Sequence, residues 1–207
     1  MKRSLSNTIQ VVLYYIFSFS KDHIVLKFKN GFQLFVPKWY NFQSIAETIF
    51  LDVYHSSAQN HDTGCIVDVG ASIGDFVVNI RRRGHGNKIC AFEPEKSSFA
   101  ILKLNIELNR LENVVALNEP ASHEAILRLL AAEKYIAFLK IDCEGCEYEI
   151  LNGQQNSWLR NVKEIHMETH RDFPNVDMQL SKLMASSGFI VTSLKVHGCP
   201  YLHATLS

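Results

Sequence analysis

The chain has no excess charge of either sign: Lys+Arg and Asp+Glu both number 21 among its 207 residues. A broad nucleic-acid footprint needs clustered positive charge, so the balance speaks against a nucleic-acid partner. The run Arg81-Arg82-Arg83 reads as the last turn of a helix, set against its dipole and stopped by Gly84. There is also no apolar stretch of about 20 residues, the length that spans a bilayer. The run Val11 to Phe17, behind Lys2 and Arg3, is too short and is followed by no small-residue cleavage site. It is expected to be an amphipathic segment that packs on the domain, the alternative being one that rests on a membrane surface, and a cytoplasmic location is the expectation.

Cysteine is scarce as well. The five cysteines are an odd number, and Cys65 and Cys90 lie inside apolar runs, so a secreted disulfide framework is not expected. Cys143-Glu144-Gly145-Cys146 spells Cys-x-x-Cys, but no second pair exists to complete a zinc site. These two are expected to be small packing residues beside an acidic loop.

One glycine is missing where it carries information. In Ile66-Val67-Asp68-Val69-Gly70-Ala71-Ser72-Ile73-Gly74-Asp75 a short apolar run turns into a helical pattern. A dinucleotide fingerprint would place a glycine at Ser72 so that the backbone can approach a pyrophosphate. With serine there, the turn suits an adenosyl ligand without phosphate, and S-adenosylmethionine is the commonest of these. A nicotinamide oxidoreductase would share the fold but needs the missing glycine.

What is present fits a globular α/β chain, with 47% hydrophobic and 20% charged residues. Apolar runs start near Cys65, Lys88, Asn113, Ile136 and Val162, a repeat of about 25 residues. That is one strand plus one crossover helix, the signature of a parallel sheet. The stretch Ala121 to Tyr135 has room for one helix. Phe189–Leu194 and Tyr201–Leu206 flank Gly198-Cys199-Pro200 and read as a closing antiparallel hairpin. Ile24–Phe28 and Gln33–Val36 flank Asn30-Gly31, a strong hairpin turn. The expected division is an N-terminal extension over 1–60 (apolar helix, hairpin, helix) and a Rossmann-like domain over 61–207.

In an open parallel sheet, ligands bind at the carboxyl ends of the strands. Asp68, Gly70, Ser72 and Gly74 follow the first core strand, and Glu93 ends the second, placed to bind ribose hydroxyls. Asn118 ends the third, where an amide can read an adenine edge. The fourth strand ends at Asp142 with Glu144 just beyond, and Lys140 shares a face with Asp142. The fifth ends Glu168-Thr169-His170. Asp142, Glu144, Glu168 and His170 are therefore the candidate catalytic group. Three readings stay open for them: His170 as a general base, a divalent metal on Asp142, Glu168 and His170, or a structural network.

Four ordered blocks carry a family resemblance: Val67 to Asp75, Ala91-Phe92-Glu93-Pro94 with Leu102, Asn105, Leu108 and Asn109, Phe138 to Tyr148 with Leu151 and Gly153, and Glu168-Thr169-His170. Together they resemble the FkbM-type S-adenosylmethionine-dependent methyltransferases. The resemblance implies a Rossmann-like class I methyltransferase fold and transfer of a methyl group to a hydroxyl of a sugar, polyketide or other small molecule or glycan. It implies that Asp68 to Gly74 hold the methionine end of the cofactor and Glu93 its ribose. The reading from another class is a non-catalytic cofactor-binding module. Oligomeric state is not readable.

Overall fold

A computed structural model describes residues 18–19, 22–54, 64–151, 156–170, 175–196 and 198–207. The apolar run Val11 to Phe17 lies outside the described residues.

Five strands form the parallel part of a seven-stranded sheet: β4 (Cys65–Val69), β5 (Ile89–Phe92), β6 (Val114–Leu117), β7 (Ile136–Ile141) and β8 (Glu164–Glu168). A C-terminal hairpin, β9 (Phe189–Val196) and β10 (Cys199–Leu206), completes it through antiparallel pairing of β10 with β8. The spatial order is β6-β5-β4-β7-β8-β10-β9. The order reverses at β4, which places a ligand crevice above the ends of β4, β5 and β7.

The crossovers are α2 (Asp75–Arg82), α3 (Lys96–Leu108) and α4 (His123–Glu133). After β7 come α5 (Glu147–Leu151) and a 3-10 turn, Asn156–Asn161; α6 (Val176–Ser186) joins β8 to β9. As the apolar spacing predicts, a single helix fills the stretch between β6 and β7. The central strands are buried on both faces, so their side chains divide with period two. Cys65, Val67 and Val69 join Leu139 and Ile141 in one core, whereas Ile66 packs with Phe76, Val77 and Phe138 in the other.

The N-terminal part is a small antiparallel sheet of β1 (Ser18–Phe19), β2 (His23–Lys27) and β3 (Gln33–Pro37). Gly31 turns the hairpin at a φ of 87°. A short helix, α1 (Phe42–Ile45), continues as a wider π-type turn over Ala46–Leu51. This part shares a core with the Rossmann-like sheet: Leu26, Leu34, Val36, Ile45 and Ile49 pack with Ile73 and Val78.

The outer edge of β3 meets a helix instead of another strand. Asn105, fully buried on α3, accepts from the Phe35 N–H at 2.7 Å and donates to the carbonyls of Phe35 and Ile73 at 3.0 and 2.8 Å. One turn later, Asn109 accepts from Gln33 N–H and donates to its carbonyl, both at 2.7 Å. An amide matches a strand's donor–acceptor pattern, so this i, i+4 pair closes an edge that would otherwise template further pairing.

Among the described residues, no helix is long and apolar enough to cross a membrane. The Arg81-Arg82-Arg83 run does end a helix, but it is more than a solvated turn. Arg81 donates to the carbonyls of Glu112 and Asn113, and Arg83 pairs with Asp52 at 2.6 Å.

Candidate functional site

A cavity of about 580 Å³ opens above the ends of β4, β5 and β7, within the size range of small-molecule sites. Its first wall is the turn after β4. Gly70 has a φ of 74°, and a Cβ there would lie 1.8 Å from the Asp142 carbonyl oxygen. The two strand ends touch, as the Asp142 N–H donating to the Val69 carbonyl at 3.0 Å confirms, so only glycine fits. Gly74, at a φ of 84°, would place a Cβ 2.6 Å from Leu102 of α3. Ser72 between them also takes a left-handed φ, 48°.

That turn is tied to the end of β5. Gly70 and Ala71 N–H groups donate to the Phe92 carbonyl, and Ser72 N–H donates to Glu93 Oε2 at 2.8 Å. The other oxygen of Glu93 accepts the Glu95 N–H at 2.8 Å. Glu93 thus lines the cavity with its carboxylate oriented by two backbone donors.

Beneath this wall lies a buried ion pair. Lys140 Nζ donates to Asp68 Oδ1 at 2.9 Å and to the Gly70 carbonyl at 3.0 Å, and both side chains are nearly inaccessible. It faces the rings of Tyr54 and Phe76, 5.2 and 5.8 Å away. Burial opposes the ammonium charge, but Asp68 and Asp142 outweigh it and raise the lysine above its usual range. The charged face of β7 is therefore satisfied by β4.

Asp75, at the start of α2, also lines the cavity, and burial pushes its carboxyl up to about 6 against the pull of Lys140. Tyr40, Asn41 and Trp39, from the segment after β3, roof the same space.

The second wall is the loop after β7. Asp142 and Glu144 line the cavity, and the Tyr54 hydroxyl donates to Asp142 Oδ2 at 2.7 Å. Behind them His170 Nδ1 meets Glu147 Oε1 at 2.7 Å. Its Nε2 lies 3.3 Å from Glu144 Oε2 and 3.9 Å from Asp142 Oδ1. The hydrogen bond to buried Glu147, reinforced by the charges of Glu147, Glu144 and Asp142, raises His170 to about 9. At neutral pH it is an imidazolium. Glu168 accepts the Tyr201 hydroxyl at 2.6 Å, and burial raises its carboxyl. One ligand atom each from Asp142, Glu168 and His170 lie within 4.8 Å of one another, close enough to hold a single cation.

The structure thus gathers Gly70, Ser72, Glu93, Asp142 and Glu144 around one cavity, with Glu168 and His170 just behind the second wall. Asp68 and Gly74 stand under the first wall and shape it. Asn118 goes elsewhere: its Nδ2 donates to the carbonyls of Glu93 and Pro94, so it braces the end of β5 from behind. Tyr54, Tyr201 and Asp75 were not singled out from sequence. The tyrosines reach the site from distant segments, and no local pattern marks them.

Cys143 and Cys146 pack against the core as expected, but they are more than packing residues. They form a disulfide, with Cα atoms 5.5 Å apart. Glu144 between them takes a left-handed φ of 57°, which folds the four residues tightly enough for the sulfurs to meet.

Comparison with known proteins bears on the fold and the domain. The TRM5/TYW2 methyltransferase domain model matches residues 54–136, and the methyltransferase FkbM domain model matches residues 126–191. Methyltransferase 1 of Beauveria bassiana (strain ARSEF 2860) is 35% identical over 72 residues, which is 35% of this chain and 29% of that protein. Among solved structures, precorrin-6y C5,15-methyltransferase from Geobacter metallireducens GS-15 superposes with a TM-score of 0.58 at 15% identity, covering 80% of this chain and 88% of the other. P. horikoshii TYW2 in complex with MeSAdo gives 0.53 at 15% identity, with 90% and 71% covered. The fold is that of a class I methyltransferase. The chain carries a methyltransferase domain, and S-adenosylmethionine is the methyl donor of that class.

Proposed function

We propose that this protein is an FkbM-type O-methyltransferase that transfers the methyl of S-adenosylmethionine to a hydroxyl of a sugar, polyketide or other small molecule or glycan. One observation carries the reading. The cavity has a backbone wall with an oriented ribose-type carboxylate, Glu93, and opposite it a wall that presents Asp142 and Glu144. Gly70, Ser72 and Asp75 would hold the methionine end, with Asp68 and Gly74 shaping the turn that carries them. Asn118 acts through the end of β5.

The sulfonium already activates the methyl, so the protein's main task is alignment. Asp142 would take the proton of an acceptor hydroxyl in the cavity, and the cofactor, when bound, would supply the methyl. His170, being charged, is not the base at neutral pH. With Glu168 behind it, it stabilises negative charge developing on the acceptor oxygen. We place the reaction in the cytoplasm and without a nucleic-acid acceptor; the chain's balanced charge supports the second of these.

Calorimetry with S-adenosylhomocysteine tests the assignment. Micromolar binding is expected, with a loss of about tenfold or more in Glu93→Ala. Asp142→Asn should retain binding and lose about 100-fold in methyl transfer. No binding by the native chain overturns the cofactor assignment. A rate abolished by chelator and restored by magnesium would transfer the role of His170 to an ion held by Asp142, Glu168 and His170.

A further inference from the structure

Between Asp142 and Glu147, the chain spends two of its five cysteines on one four-residue loop, and the proposed chemistry uses neither. Both are half-buried and line the cavity, with the acidic Glu144 held between them. The remaining three thiols differ: Cys65 and Cys90 are buried within central strands, and Cys199 lies at the start of β10. Only Cys143 and Cys146 are joined, and both line the cavity.

The loop they close also organises the second wall. Cys143 N–H and Gly145 N–H both point to Glu147 Oε1 at 3.4 Å, the same oxygen that meets His170 Nδ1. The path requires φ values of 57° at Glu144 and 122° at Gly145. A non-glycine residue in the left-handed region costs of order 1 kcal/mol and persists only where its surroundings hold it. The disulfide adds a covalent restraint to the hydrogen bonds that hold this turn. Two thiols occupy more room than one disulfide, so breaking the bond removes a restraint from Glu144 and from the donors on Glu147.

We infer that Cys143–Cys146 is a reversible thiol–disulfide site in the cavity wall, and that its redox state sets how well the cavity holds its cofactor. The step is balanced by a dithiol of the thioredoxin class. Its thiolate attacks one cystine sulfur, the S–S bond breaks, and a mixed disulfide forms. The second thiol of the reductant then releases the protein as Cys143 and Cys146 thiols. Two electrons and two protons pass to the protein, and the reductant leaves as a disulfide. Oxidised glutathione drives the reverse direction.

The inference depends on the cofactor assignment only for its binding probe, so two readouts are used on the full chain. The first equilibrates the protein in glutathione buffers of graded poise, alkylates it, and counts thiols by mass spectrometry. Three are expected when oxidised and five when reduced, with the change at Cys143 and Cys146. Failure of this pair to oxidise overturns the inference. The second is calorimetry with S-adenosylhomocysteine. The oxidised form should bind about tenfold more tightly than the reduced form, within the usual range of coupling between two sites. Cys143→Ser and Cys146→Ser should each bind as the reduced form does, whatever the buffer. Equal affinity in both states overturns the inference. If neither state binds, the cofactor assignment fails on its own, and hydrogen exchange decides the redox question. Faster exchange at Cys143 and Gly145 on reduction upholds the switch, and unchanged exchange removes it.

Discussion

The two walls of the cavity are built on different principles. The wall after β4 is a matter of backbone shape: Gly70 has no space for a Cβ against the end of β7, and Gly74 holds a left-handed φ of 84° that favours glycine. The wall after β7 is a matter of charge, with Asp142, Glu144, Glu147, Glu168 and His170 positioned by one another and by two tyrosine hydroxyls. Lys140 joins them, since it lies on β7 but neutralises Asp68 on β4 and supports the Gly70 carbonyl. The difference separates tasks. The shape-built wall suits a ligand part that never changes, whereas the charge-built wall can respond to the proton that the reaction moves.

The sharpest way to break this contrast is Gly70→Ala. A methyl 1.8 Å from a carbonyl oxygen, at a φ of 74°, forces the two strand ends apart. We expect a stability loss of about 4 kcal/mol or more in urea titration. A loss under about 1 kcal/mol would mean that the wall is not shape-limited. Next is Lys140→Met, which leaves Asp68 buried and uncompensated. It should cost about 3–5 kcal/mol, and adding Asp68→Asn should restore much of it. If the double variant is no better than the single one, the lysine is not the link between the walls.

The smallest effect belongs to His170 and is read against pH. Its value of about 9 stands above the ordinary 6.5, so its contribution to stability is fully present below pH 6.5 and is lost as the pH rises toward 9. The thermal midpoint should therefore fall across that window in the native chain and fall less in His170→Gln. Parallel profiles would remove the histidine from the charge network.

The same contrast explains what the sequence disclosed. Strand starts at Cys65, Ile89, Val114 and Ile136 were legible because buried parallel strands announce themselves as apolar runs at crossover spacing. The closing hairpin was legible from Gly198-Cys199-Pro200 between two apolar segments. Side-chain destinations were less so. Asn118 ends the expected strand, yet which way its amide turns depends on the loop after Glu93, and it braces that loop. Cys-x-x-Cys gives a spacing but not the left-handed residue between the sulfurs that brings them together. Tyr54 lies 88 residues from the carboxylate it serves, beyond the reach of any local pattern.

The asparagine pair on α3 has a mechanical consequence. The helix is 13 residues long, roughly 20 Å of rigid rod. One end is capped by Glu95, two residues from the ribose-type carboxylate, and the other grips β3 through Asn105 and Asn109. Past Pro37, β3 leads directly into Trp39, Tyr40 and Asn41 over the cavity. The end of β5 and the segment over the cavity are thus fastened to the two ends of one rigid rod, so neither can shift without loading the other.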